Sequence, residues 1–331
     1  MSREFFKRID VHSHIEIPEA VDLLPEKPPD AMAPRPDDPA YTYTLNMFAR
    51  MGPQLRDPLR KIGDLRAMGL DMAILSIAPT QFFYSLGGDL GSRVCRFQND
   101  RISSLVQEYP DKFGGMANVP LQDVPEAVKE LERAVRELKL TGVEIGSNVN
   151  GKLLGDSSFL PFFEKARTLD IPVYIHPFNP TGLDRMRAYY FLNIIGFPLD
   201  TTLTAGSLIF SGTFDRLPGL KVILSHAGGC LPYLVGRMDH AFKTRPECQG
   251  IKRSPVDYLK MFYYDTIAHG SNQLQFLISI VGADQVLLGT DYPYDMGDLE
   301  PLQSLKVVQG LSEMDLEKIM GKNTQALFRI S

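Results

Sequence analysis

The sequence predicts a closed (β/α)8 barrel, and three observations predict it. Eight short runs of β-branched and apolar residues recur along the 331-residue chain. Segments with helical periodicity separate most of them. The residues best suited to bind a metal ion, four histidines and an aspartate, fall at the C-terminal ends of those runs or just past them. Near-continuous apolar strands alternating with amphipathic helices indicate a parallel sheet covered on both faces. Eight such units close into a TIM barrel, whose reactive groups collect at the C-terminal ends of the strands.

In chain order, strands are expected near Arg8–His12, Met72–Ile77, Gly114–Val119, Gly142–Gly146, Val173–His176, Val222–His226, Phe262–Thr266 and Val286–Asp291. The helical segments between them include Val124–Leu138 and Leu160–Leu169, whose apolar residues recur at helical spacing. The spacing of the strands is uneven. About 60 residues separate the first from the second, including a Pro-rich stretch from Pro18 to Pro39. An insertion of this size, about residues 16–56, is expected to form a lid or subdomain over one end of the barrel. A second long interval, Pro177 to Leu220, carries apolar helix-like runs at Tyr189–Phe197 and Thr202–Phe210. No repeat or linker divides the chain, so residues 1–331 are expected to form a single barrel domain.

Hydrophobic residues make up 44% and charged residues 23%, the profile of a globular protein large enough to hold its core without metal or disulfide. A bound ion would therefore serve chemistry. The net charge of -5 opposes a nucleic-acid surface or a polybasic membrane anchor. No apolar run approaches the roughly 18 residues of a membrane span, and Met1–Arg8 lacks the apolar core of a signal peptide. Cys95, Cys230 and Cys248 are scattered without redox or zinc-knuckle spacing, so a reducing cytoplasm is the expected compartment.

Of the six histidines, His12 and His14 end the first strand in I-D-V-H-S-H, His176 ends the fifth in V-Y-I-H-P and His226 ends the sixth in V-I-L-S-H. Asp291 closes the eighth in L-L-G-T-D-Y-P. Residues i and i+2 of a strand point the same way, so His12 and His14 can grip one ion from one strand end. His176 adds a third imidazole and Asp291 a carboxylate. Three nitrogen ligands and one oxygen ligand suit Zn2+ with a position left for water or substrate, and Mn2+, Fe2+ or Co2+ also fit such a set. A lone strand histidine is ordinarily a core or surface residue; four sharing one topological position make a metal site the better reading. His226 is assigned to acid/base work because four ligands already complete a set, although the sequence leaves an exchange of roles open. Ala227, Gly228 and Gly229 after it are expected to let a substrate approach closely. His240 reads as a plain helix residue. His269, near the end of the seventh strand, is a weaker candidate for the substrate pocket. Phe82, Phe83, Tyr84 and Phe178 can line an apolar pocket for a planar ring or serve simply as core.

D-V-H-S-H, I-H-P, S-H-A-G-G and G-T-D-Y-P, in this order over nearly the whole chain, resemble the amidohydrolase superfamily. More narrowly they resemble the branch containing 2-amino-3-carboxymuconate 6-semialdehyde decarboxylase. The likeness includes Asp57-Pro58 entering the second strand, Gly142–Gly146 (G-V-E-I-G), the stretch Asp184–Lys221 and the tail Gly321–Phe328. The resemblance implies that His12, His14, His176 and Asp291 are the metal ligands, that His226 activates a metal-bound water and that Asp291 shuttles a proton. It further implies a homodimer in which Arg237, in G-R-M-D, reaches into the neighbouring subunit's site to hold the substrate carboxylate. Two positions depart from the family pattern. A carboxylate-binding arginine is replaced by Ala49, after Phe48, with Arg50 one residue later, and a tryptophan is replaced by Phe178 in a chain that has no Trp.

The expected activity is metal-dependent, non-oxidative decarboxylation of a small aromatic or muconate-like carboxylic acid. The ion would act as Lewis acid and template, and Asp291 or His226 would supply a proton. Arg237, Arg185, Arg50, Phe178 and Tyr294 are the candidate substrate contacts. The alternative is hydrolysis of an amide, a lactone or a ring-cleavage product by the same ligand set.

Overall fold

The eight expected strands form in the structure, a computed structural model that describes residues 6–26 and 32–330. They span Ile9–Ile15, Met72–Ile77, Phe113–Ala117, Gly142–Gly146, Val173–His176, Val222–Leu224, Phe262–Asp265 and Val286–Leu287. Neighbours pair in parallel, and their order in the sheet is their order in the chain. The first strand closes the (β/α)8 barrel by donating Val11 N to Leu288 O (2.9 Å) and His14 N to Tyr292 O (2.9 Å).

Side chains alternate between the two faces of each strand. The outward set, including Ala73, Leu75, Val143, Ile145, Val173, Ile175, Val222 and Leu224, packs under the surrounding helices. The inward set is apolar at the N-terminal end: Ile9, Val11, Met72, Ile74, Met116, Tyr174, Ile223 and Leu287 form one buried cluster with Leu327 and Phe328 of the last helix. Toward the C-terminal end the same inward positions turn polar, with Glu144 after Gly142, His176 after Tyr174 and Asp265 after Tyr263.

The first strand carries the feature that aims the site. Asp10 pairs with Ala73 but Ser13 pairs with Leu75, so one extra residue is inserted between them. Such a bulge exchanges the faces of everything beyond it. Ile9 and Val11 point inward before it, and His12 and His14 point inward after it. The strand expected near Arg8–His12 runs on to Ile15, so it includes both histidines of H-S-H. The sixth and eighth strands are shorter than expected, so His226 and Asp291 lie in turns with left-handed backbone (φ 53° and 56°) rather than on strands.

The long first connection comprises a turn at Pro18–Leu23 and helices Tyr41–Arg56 and Pro58–Ala67. Asp57 caps the latter, accepting from Leu59 N and Arg60 N, with Pro58 in the first turn where no N–H is required. That explains the D-P pair. Met47, Met51 and Leu55 of helix Tyr41–Arg56 pack against Tyr294 at the barrel mouth. The second long interval forms a wide turn, Leu192–Gly196, and helix Phe197–Phe210. A small hairpin, Asn148–Val149 with Lys152–Leu153, was not foreseen. No described helix is long and apolar enough to cross a membrane.

Candidate metal centre

Bulge and strand ends together bring five side chains to one point. Nε2 of His12 lies 3.0 Å from Nε2 of His14. Oδ1 of Asp291 lies 3.2 Å from the first and 3.3 Å from the second. The His176 ring stands edge-on to both, with centroids 5.2 and 4.9 Å away. Nε2 of His226 is 3.4 Å from the other oxygen of Asp291. Ligand atoms of His12, His176, His226 and Asp291 lie within 4.8 Å of one another, a group able to hold a metal ion. His14 joins them through its contacts with His12 and Asp291.

Hydrogen bonding on the far side of each ring explains the orientation. Nδ1 of His12 lies 2.8 Å from Asp265 Oδ2, and Nδ1 of His176 lies 2.9 Å from Pro177 O. Nδ1 of His14 has weaker partners in Ile77 O and Ser76 Oγ, both at 3.4 Å. An N–H directed outward leaves an Nε2 lone pair directed inward. His176 Nε2 and Asp291 Oδ1, both buried, have no hydrogen-bond partner. Imidazole nitrogens and a carboxylate oxygen converging on one buried point fit a divalent cation.

The electrostatics agree. Burial opposes charge on His12, but Asp291 and Asp265 outweigh it and raise its pKa to about 10. Burial opposes the Asp291 carboxylate too, and the charge of His12, with the nearby His14 and His226 rings, holds it well below the usual range. The site therefore offers a negative field that demands positive charge. Burial drives His14 down to about 4 and His176 well below the ordinary imidazole value, which keeps both rings neutral, the form that binds metal.

Four buried groups were missed by the sequence reading. Asp265 also accepts Tyr174 OH (2.8 Å), His226 N (3.0 Å) and Ala227 N (2.8 Å), so it orients His12 and shapes the His226 turn together. Asp10 accepts Thr290 Oγ1 (2.6 Å) beside Asp291. Glu144 lies 3.9 Å from His14 Nδ1, with neither carboxyl oxygen hydrogen-bonded; burial pushes its pKa up to about 8. Lys61, buried on the opposite side of the first strand, donates to His14 O (2.8 Å). Polar residues at inward positions of G-V-E-I-G and F-Y-Y-D were the available signal for Glu144 and Asp265.

The glycines after His226 meet a second constraint besides the expected one. A Cβ on Gly228 would lie 2.7 Å from the Tyr264 ring, and one on Gly229 2.1 Å from Pro198 O. Both have positive φ (75° and 61°). They permit a tight turn against protein, and Ala227 and Gly229 also line the cavity beside His226. Gly289 is similarly constrained, since a Cβ there would meet Asp265 and His12 at 2.9 and 3.0 Å.

Around this centre, Tyr294 packs against His14 with centroids 5.3 Å apart. Phe178 stands edge-on to Phe82 (5.6 Å) and Tyr84 (6.3 Å), which stack on each other. Its backbone is fixed by Ser147 Oγ and Asn148 Nδ2, both bonded to buried Asp200. Phe82, Phe83 and Tyr84 are buried. A cavity of about 420 Å3 opens beside His226 and is lined by Ala227, Tyr233, His269, Gln273 and Met296 among others. His240 is an exposed helix residue. The arginines are not gathered in. Arg50 is exposed above the Tyr43 ring (6.0 Å), Arg185 is exposed in the turn Leu183–Arg185, and Arg237 is exposed on helix Leu231–Thr244.

An eight-stranded parallel barrel with this cluster at its C-terminal mouth defines a metal-dependent barrel enzyme. The amidohydrolase family model matches residues 9–330, and the chain belongs to that family. It is 38% identical over 269 residues to 2-amino-3-carboxymuconate-6-semialdehyde decarboxylase of Dictyostelium discoideum, covering 81% of this chain and 75% of the relative. The solved 5-carboxyvanillate decarboxylase of Sphingomonas paucimobilis superposes with a TM-score of 0.85 at 27% identity, covering 99% of this chain and all of that one. The dihydroxybenzoic acid decarboxylase of Polaromonas sp. JS666, solved with manganese and 2-nitroresorcinol, gives 0.82 at 26% identity over 98% and 97% of the two chains. Within the family the chain falls in the decarboxylase branch: it is a carboxy-lyase that depends on a divalent metal and acts without oxidation on a small carboxylic acid.

Proposed function

We propose that this enzyme decarboxylates a hydroxylated aromatic or muconate-like acid at a mononuclear site held by His12, His14, His176 and Asp291. The observation that carries the ligand assignment is the convergence of buried imidazole nitrogens and a carboxylate oxygen on one point, with His176 Nε2 and Asp291 Oδ1 left without partners. A nitrogen-rich donor set favours Zn2+; the manganese of the Polaromonas structure makes Mn2+ the other choice. When bound, the ion would act as a Lewis acid for the substrate carboxylate or a neighbouring hydroxyl.

The chain's own residues supply the rest. Phe178, half-buried and backed by the core residues Phe82 and Tyr84, is proposed as the aromatic contact for a planar substrate, and Tyr294 borders His14. His226 is proposed as the proton carrier, with Asp291 as its partner at 3.4 Å. A proton reaches the carbon bearing the carboxylate, the carbon–carbon bond breaks, its electrons return to the substrate and CO2 leaves. Asp265 holds the His226 turn, so the same carboxylate orients a metal ligand and the proton carrier.

Among the described residues, the three candidate arginines Arg50, Arg185 and Arg237 are exposed rather than gathered at the centre, which is compatible with a shared site. We propose a homodimer in which the partner's Arg237 reaches the substrate carboxylate, Arg185 and Arg50 acting at the rim. Tyr233, one turn before Arg237, is exposed and borders the cavity beside His226. An isologous contact along helix Leu231–Thr244 would place each arginine near the other subunit's cavity. Three free cysteines fit a cytoplasmic location, and we treat residues 1–331 as one domain with the 16–56 insertion as its lid, of which residues 27–31 lie outside the described residues, as do 1–5 and 331 of the domain.

The test is CO2 release from a panel of hydroxybenzoates and muconate-type acids after loading with Zn2+ or Mn2+. Metal-dependent CO2 release from at least one acid is expected. Metal content well below one ion per chain after loading removes the proposal. For His226, substitution by Asn is expected to leave metal content intact and abolish turnover; loss of the metal instead makes it a ligand.

A further inference from the structure

We infer that Lys61, with Tyr292 and Asp64, is a positioning cluster that sets the distance between the H-x-H pair and Asp291. The inference rests on the metal-centre reading and deepens it. The two groups of ligands come from opposite ends of the sequence and meet only where the barrel closes. The last strand, Val286–Leu287, is two residues long. Its regular ladder therefore stops short of Asp291. Beyond it, the residues flanking Asp291 are held individually. On one side Thr290 is fixed by Asp10 through its N–H (2.9 Å) and hydroxyl (2.6 Å). On the other, Tyr292 accepts His14 N–H at its carbonyl (2.9 Å), and its side chain meets helix Pro58–Ala67.

That helix presents two groups one turn apart. Lys61 Nζ donates to His14 O (2.8 Å) and Ser13 Oγ (3.3 Å) and sits 4.2 Å from the centre of the Tyr292 ring. Asp64 Oδ2 accepts the Tyr292 hydroxyl at 2.6 Å. One ammonium thus binds the backbone of a metal ligand and the aromatic face of the residue next to another. Lys61 is 1% exposed, yet these close partners are a carbonyl, a hydroxyl and a ring, all neutral. Burial opposes the Lys61 charge while Asp10 and Asp64 favour it from nearby, so its net contribution to folding is small. Its contribution is geometric: it fixes the carbonyl of His14 and the ring of Tyr292 to the same rigid helix, and hence the spacing of His14 and Asp291.

Electrostatics makes the inference easy to overturn. Any positive charge that Lys61 carries repels a cation at the site, so deleting it cannot by itself weaken metal binding. A weaker site after Lys61→Met therefore reports lost geometry. Removing groups that orient metal ligands typically costs tenfold or more in affinity. We expect about that loss for Lys61→Met in Mn2+ binding measured by chelator competition. Tyr292→Phe, which keeps ring and ammonium and deletes only the bond to Asp64, is expected to lose roughly threefold. Ile62→Ala, a packing change in the same helix, should lower thermal stability without changing Mn2+ affinity. Unchanged or tighter binding in Lys61→Met overturns the inference, as does an equal loss in Ile62→Ala. If Lys61→Met does not fold, unchanged affinity in Tyr292→Phe overturns it. Failure of the wild type to bind Mn2+ or Zn2+ would instead sink the metal-centre reading itself.

Discussion

At the base of the barrel mouth, His12, His14, His176 and Asp291 are buried and aimed by partners behind them: Asp265 behind His12, Pro177 O behind His176, Asp10 beside Asp291 through Thr290. At the rim, Arg50, Arg185 and Arg237 are exposed, and residues 32–56 meet the segment after the fifth strand through a few contacts such as Arg187–Asp38 (3.4 Å). The base is held by buried hydrogen bonds that cannot exchange with water. The rim is held by the packing of Met47, Met51 and Leu55 and by partly solvated polar groups that can. A metal tolerates little error in ligand position, so its ligands belong on strand ends packed into a rigid layer. Substrate choice tolerates more and is placed on loops that can vary without disturbing the barrel.

The largest expected effect lies at the base. Asp291→Asn keeps the shape of the side chain but removes the carboxylate that faces His12, His14 and His226. We expect kcat for the best substrate of the panel to fall by roughly 10^2–10^4-fold, the range for losing an acid/base group. A variant retaining a tenth of wild-type kcat would show that the buried layer does not carry the chemistry and would erase the contrast with the rim.

Glu144 sharpens the same contrast through pH. Its carboxyl is buried without a hydrogen bond, and burial raises its pKa from 4.5 to about 8. Below pH 4.5 both folded and unfolded chains hold the proton, and no stability is lost. Between 4.5 and 8 the unfolded chain releases it first, so stability falls as pH rises. Above 8 the cost is complete, on the order of a few kcal/mol. Glu144→Gln removes this term. Urea unfolding in the presence of chelator should therefore show the variant's advantage over wild type growing from pH 5 to pH 8. A constant difference across that range would mean that Glu144 is not the strained acid its surroundings indicate.

These two predictions also separate what the sequence carried from what it did not. Strand order, barrel closure and the five converging groups were legible because each strand is a short apolar run and each reactive group punctuates its end. Glu144 and Asp265 were passed over because a single acid inside an apolar run looks like a solvent-facing residue until the inward face is known. The inward face of the first strand was unknowable in detail, since the bulge between Asp10 and Ser13 leaves no sequence signal and reverses the alternation just before His12. The H-x-H spacing foresaw that the pair points together, not that a bulge turns it inward. The glycines after His226 carry a second constraint, packing against Tyr264 and Pro198, because glycine states only that space is short, not what occupies it.

At the rim, the third prediction concerns Arg237. Exposed on its helix, it should matter only through the partner subunit. We expect Arg237→Ala to lower kcat/KM by tens of fold, the scale of truncating one charge-assisted contact. Mixing Arg237→Ala with His176→Ala subunits should restore part of the activity, because one hybrid site has both an intact metal centre and an intact arginine. No recovery on mixing, with subunit exchange demonstrated, would leave the rim arginine acting within its own chain or not at all.

The smallest expected effect is at the seam between the insertion and the segment after the fifth strand. Arg187 Nη1 contacts Asp38 Oδ2 at 3.4 Å and Ala33 O at 3.3 Å, and both charged side chains are partly solvated. Solvent screens such a pair, so Arg187→Met should change stability by less than about 1 kcal/mol. What it loosens is the insertion against Asn179 and its neighbours, where Asn179 N meets Met32 Sδ at 3.3 Å. Substrate and transition state would then lose the same wall, which raises KM a few-fold and leaves kcat unchanged. A fall in kcat comparable to that in kcat/KM would show that the insertion positions groups used in the reaction itself, and base and rim would then have to be treated as one machine.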